Sequence, residues 1–64
     1  SYIPHDIVIE YAKSTNENLK NIALDILTDC QSMEARDYAL ELFGKGEYMV
    51  HAIKILLLNY YLCL

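Results

Sequence analysis

An all-α fold of four short helices arranged as two antiparallel helical hairpins is predicted by three features of this 64-residue sequence. Apolar residues recur with the period of a half-buried helix face, and one Pro and two Gly stand where helices would begin and end. No two-residue alternation of the kind a strand needs competes with that pattern.

Pro4 suits the first position of a helix, because its fixed φ and missing N–H are harmless there, and Asp6 then lies near the positive end of the helix dipole. Ile7, Val8, Tyr11 and Ala12 form an apolar stripe, so the first helix is expected over about Pro4 to Lys13. Ser14 and Glu17 have the spacing of a capping box, which predicts the start of a second helix. Its apolar stripe is Leu19, Ile22, Ala23, Ile26, Leu27 and Cys30. Ser32 is the next expected N-cap, followed by Ala35, Tyr38, Ala39, Leu42 and Phe43, with Gly44 and Gly46 closing the third helix. The fourth helix is expected from about Glu47. It carries Met49, Ala52, Ile53, Leu56, Leu57, Tyr60 and Leu64 on one side, while Ile55, Leu58 and Leu62 cover the other. The connections span only a few residues, which predicts antiparallel neighbours.

Composition narrows the function. Residues 1–64 form a single helical domain or a fragment of a larger helical scaffold, and a chain of this length buries only about 60% of its unfolded surface. Hydrophobic residues make up 55% of the chain, which excludes disorder. Nine acidic residues against five basic ones give a net charge of −4. The basic residues Lys13, Lys20, Arg36, Lys45 and Lys54 are scattered along the chain, so nucleic acid is not an expected partner. No basic segment precedes an apolar stretch as in a signal peptide, and the run from Ile55 to Leu64 is far shorter than the roughly 20 residues of a membrane span. Cys30 and Cys63 both lie among apolar residues and read as buried thiols of a reducing, cytoplasmic setting, with a single bridge as the alternative.

Chemistry finds little foothold. His5, His51, Cys30 and Cys63 are the only soft metal ligands, and no two share a short metal-binding spacing. Neither cysteine has a cationic neighbour in sequence that would lower its pKa for nucleophilic work. Asp25, Asp29, Asp37 and Glu41 read as a solvated face across the second and third helices, or secondarily as a docking patch for a basic partner. No cofactor, metal or enzymatic activity is therefore expected.

The segment Leu42-Phe43-Gly44-Lys45-Gly46-Glu47-Tyr48, followed by Ala52-Ile53-Lys54-Ile55-Leu56, resembles the tight helix-turn-helix of tetratricopeptide and clathrin-type repeats. Ala-led cores recur at Ala23-Leu24-Asp25-Ile26-Leu27, Ala39-Leu40-Glu41-Leu42-Phe43 and Ala52-Ile53-Lys54-Ile55-Leu56 at unequal spacing. The chain is thus similar to an irregular α-solenoid, of the kind found in vesicle-trafficking scaffolds; a small bundle is the alternative arrangement. The resemblance implies a non-catalytic protein-interaction module. The residues themselves point the same way, because a fourth helix that is apolar on all sides needs cover from another chain. Ile55, Leu58, Tyr61 and Leu62 are the expected partner-binding residues, and the partner is another protein chain or, in a small self-assembling homodimeric regulator, a second copy.

Overall fold

The computed structural model describes residues 4–60. Tyr61, Leu62, Cys63 and Leu64 lie outside the described residues. Within them the chain is four α-helices and no strand: α1 (His5–Ala12), α2 (Glu17–Leu27), α3 (Met33–Lys45) and α4 (Met49–Leu58).

Local chemistry sets each boundary. Pro4 immediately precedes α1, and its carbonyl accepts the backbone N–H of Ile7 at 3.1 Å. The cap of α2 is Asn16, two residues later than the expected Ser14. Its Oδ1 accepts from the N–H groups of Asn18 and Leu19 at 3.0 and 3.2 Å. Ser14 Oγ instead accepts from Asn16 N–H at 3.0 Å, so the hydroxyl shapes the turn that delivers the cap. Ser32 caps α3 as expected, its Oγ accepting from Ala35 N–H at 3.0 Å. Gly44 remains inside α3, and Gly46 ends it in the left-handed region at φ 69°. There Gly46 N–H donates to Phe43 O and Glu47 N–H to Leu42 O, the paired bonds of a Schellman motif. Tyr48 also lies in the left-handed region, at φ 49°, and α4 begins just after it.

The expected hairpins form: α1 packs along α2 and α3 along α4. The hairpins then stack side by side, α1 against α3 and, more lightly, α2 against α4, whereas the successive helices α2 and α3 touch only slightly. Polar contacts show that the stack is parallel. Tyr48 Oη donates to Glu17 Oε2 at 2.9 Å near the starts of α4 and α2, and Asn59 Nδ2 donates to Cys30 O at 3.0 Å near their ends. Tyr38 Oη reaches Ala12 O at 3.4 Å, joining α3 to α1.

Between the hairpins runs a narrow core. Ala12, Ala23, Ala35, Ala39 and Ala52 are all buried and let the helices approach closely, and Leu24, Leu27 and Ile55 supply its largest fully buried apolar side chains. Three expected faces are rotated relative to this core. In α2 the buried residues are Ala23, Leu24 and Leu27, while Leu19, Ile22 and Ile26 face outward. In α1 Val8, Ile9 and Ala12 are buried, while Ile7 and Tyr11 are exposed. In α4 Ala52 and Ile55 are buried, while Val50, Ile53 and Leu57 lie outside. Alanines decide the outcome, because their small side chains win the tightest positions and the bulkier aliphatics are left on the rim.

Asn59, 1% exposed, locks the open end of this stack. Its Nδ2 donates to Cys30 O at 3.0 Å and to Ile55 O at 2.8 Å. Its Oδ1 accepts the backbone N–H of Ser32 at 2.9 Å, which serves a donor the Ser32 side chain cannot satisfy. Gln31 Nε2 adds a bond to Leu58 O at 3.2 Å. One side chain thus ties the α2–α3 connection to the end of α4. Asn59→Ala leaves buried backbone groups without partners, and should lower unfolding free energy by about 2–3 kcal/mol, read as a shift in the urea midpoint. A loss of under about 0.5 kcal/mol would show that the clamp does not contribute.

Candidate functional site

An open apolar groove lies between α1 and α2. Val8 and Tyr11 form one wall, and Leu19, Ile22, Ala23 and Ile26 form the other. Helical spacing aligns these residues: Leu19, Ile22, Ala23 and Ile26 recur at three- and four-residue intervals along one side of α2. Ile22 is 57% exposed and Tyr11 54%, so apolar surface that a completed core would cover stands in solvent. The groove's volume is about 210 Å³, below the ~300 Å³ at which small-molecule pockets begin. Its shape suits the ridge of a helix better than an enclosed ligand.

The opposite end of the stack presents a second apolar face. Met33, Leu40 and Phe43 lie along α3, and Val50, Ile53 and Leu57 along α4, all exposed. Leu57, at 71% exposed, is the most open of them. Two of the four expected partner-binding residues fall within the described residues, and neither lies on this face. Ile55 is fully buried in the core and offers nothing to a partner, and Leu58 is half-buried. The other two expected residues, Tyr61 and Leu62, fall outside the described residues. Sequence reasoning missed the α1–α2 groove because Leu19, Ile22 and Ile26 match the helical period as well as the true core residues do.

At the turn end of the hairpins a polar hollow of about 330 Å³ is lined by Lys13, Lys20, Tyr38, Glu41, Lys45 and Glu47, with Leu42 at its base. Three of the four lysines expected to be scattered are gathered here, because parallel stacking brings both hairpin turns to one end. Acidic side chains interleave with them, and Lys45 Nζ lies 3.7 Å from Glu41. Lys13 Nζ sits 5.7 Å from the centre of the Tyr38 ring and Lys20 Nζ 5.0 Å from that of Tyr48, so both also face aromatic rings.

The other titratable residues are placed structurally. His51 Nε2 lies 2.9 Å from Asp25 Oδ1, joining α4 to α2. Arg36 pairs with Asp37 at 2.9 Å. Asp25, Asp37 and Glu41 therefore each have a local partner and do not converge inward. Among the described residues no three His, Cys, Asp or Glu side chains gather as metal ligands would. Cys30 is unbridged and buried, its thiol donating to Ile26 O at 3.2 Å. Burial, and secondarily the Asp29 carboxylate, push that thiol up from its ordinary pKa, which disfavours the nucleophilic thiolate. Among the described residues no helix is long and apolar enough to cross a membrane. No protein-family model matches the chain, and neither a curated protein nor a solved structure matches it.

Two tyrosines tie the hairpins together, and the direction of their pKa shifts predicts an alkali-sensitive stack. The Tyr38 hydroxyl is pushed up from its ordinary pKa by burial first and by the Glu41 and Glu47 charges second. Tyr48 is raised chiefly by its hydrogen bond to Glu17. A group whose folded pKa is raised stabilises fully below its unfolded value, about 10 for tyrosine, and loses that contribution as pH climbs through the folded value. Stability to urea should therefore decline above about pH 10, and less steeply in a Tyr38→Phe/Tyr48→Phe double variant. Identical declines in the two proteins would contradict these roles. Cys30 contributes in the same direction to both, so the difference isolates the hydroxyls.

Proposed function

We propose that this chain is a non-catalytic protein-interaction module of the helical-repeat type, which docks helices of another protein against the outward faces of its two hairpins. The observation that carries this reading is the row of exposed aliphatics along α2, Leu19, Ile22 and Ile26, facing Tyr11 across an open groove. Contiguous apolar surface of this kind on a small protein marks a contact site. The narrow alanine core supports the same conclusion, since it leaves the larger side chains for contacts beyond the chain.

Docking through the C-terminal helix remains part of the proposal, moved by the fold to the side bearing Val50, Ile53 and Leu57. An unbridged Cys30 with a raised pKa fits a reducing, cytoplasmic setting. Protein is favoured over nucleic acid because the lysine-lined hollow is interleaved with Glu41 and Glu47 and the chain carries a net charge of −4.

A pair of substitutions on one helix separates docking from folding. Ile55→Asp puts a charge into the core and should unfold the chain, a loss of more than about 3 kcal/mol, with circular dichroism showing the collapse of helicity. Leu57→Asp should keep helicity and stability within about 0.5 kcal/mol while weakening association, measured by sedimentation velocity, at least tenfold. Association unchanged by Leu57→Asp would remove the α4 face from the docking surface.

A further inference from the structure

The second hairpin repeats the first. Glu10-Tyr11-Ala12 returns 27 residues later as Asp37-Tyr38-Ala39, and Ala23-Leu24-Asp25-Ile26-Leu27 returns 29 residues later as Ala52-Ile53-Lys54-Ile55-Leu56. The fold keeps nearly the same register. The side-chain bonds joining the hairpins link residues 26 apart at Ala12 and Tyr38, 26 at Asp25 and His51, 29 at Cys30 and Asn59, and 31 at Glu17 and Tyr48.

Those shifts identify what the α1–α2 groove is built for. The second hairpin holds the first through Tyr38, Tyr48 and His51, which bond across the junction, and contributes Ala35, Ala52 and Ile55 to the core the two hairpins share. Moved back by 27 residues in the leading helix and 29 in the following one, these six become Val8, Tyr11, Leu19, Ile22, Ala23 and Ile26. They are the residues that line the groove. The first hairpin thus lines an open groove with the counterparts of the second hairpin's holding surface, Tyr11, Leu19, Ile22 and Ile26 exposed and Val8 and Ala23 buried at its floor. Its counterpart is displayed at the far end. Leu24, fully buried in the shared core, corresponds to Ile53, and Lys13 and Lys20, which lie over Tyr38 and Tyr48, correspond to Leu40 and Met49. All three of those counterparts are exposed.

We infer that the occupant of the α1–α2 groove is a second copy of this chain, stacked head to tail, with the α3–α4 outer face of one copy seated in the groove of the next. The inference rests on the docking reading above and specifies its partner. The interface continues the internal hairpin junction, and one chain carries both halves of it. A symmetric pairing of two grooves would instead place the more acidic hairpin against itself: residues 4–30 hold five acidic and two basic side chains, residues 31–60 four acidic and three basic. Because the two faces differ, the contact is heterologous and can propagate beyond a dimer.

Sedimentation equilibrium on the wild type, Ile22→Asp, Ile53→Asp and an equimolar mixture of the two variants tests this. The wild type should gain mass with concentration past the dimer, each variant alone should stay monomeric with association weakened at least tenfold, and the mixture should stop at a one-to-one dimer. That dimer forms because Ile22→Asp retains the outer face and Ile53→Asp retains the groove. A monomeric wild type, self-association of either variant, or a mixture that stays monomeric would overturn the proposal. Circular dichroism checks the fold, and Ile22→Ser with Ile53→Ser replaces the aspartates if helicity falls. A monomeric wild type that still binds the dye ANS, with the signal lost in both variants, would reject the second copy and keep the docking reading; absent dye binding would reject both.

Discussion

Everything in this structure follows from how little room lies between the helices. Five buried alanines belong to the core, and among the described residues only Leu24, Leu27, Ile55 and Asn59 are large, fully buried side chains. Small residues bring the helix axes together, so the core becomes a thin strip and cannot absorb the aliphatic content of the chain. The surplus appears on the two outer faces. A hydrophobic content that would fill the inside of a larger protein stands exposed in this one.

A thin core also places weight on the polar contacts that hold the strip in register. Asn59 joins the start of α3 to the end of α4, Tyr38 joins α3 to α1, and Tyr48 joins the start of α4 to α2. Tyr48 does so from a left-handed backbone conformation that a bulky residue adopts at a cost of about 1–2 kcal/mol, and its hydroxyl bond to Glu17 and its contact with Lys20 offset that strain. Directional polar contacts of this kind specify one alignment of the hairpins, where a smooth aliphatic interface would permit sliding.

The helices themselves were legible in the sequence because their signals are local. Ser32 and Gly46 act within a few residues of where they stand, and short connections imply hairpins. The orientation of the helices was not legible. Leu19, Ile22 and Ile26 keep the helical period as well as Ala23, Leu24 and Leu27 do, and choosing between them needs the packing of α4 and α3, which lie far along the chain. The same ambiguity placed Ile55 on the outside, when its neighbours Ile53 and Leu57 hold that side. Asn59 carries no local signal of its role, because its partners are 27 and 29 residues away and no short motif marks them. Ser14 and Asn16 both qualify as caps, and only the backbone shows which one is used.

Incomplete packing within one chain is the central claim, and residue-resolved amide hydrogen exchange at rising protein concentration measures it most directly. Amides of Leu19 to Ile26 and Val50 to Leu57 should gain protection as concentration rises, while Ser32 N–H, already held by Asn59, changes little. Protection that is uniform along all four helices and independent of concentration would show that the fold is complete by itself, and would contradict the claim.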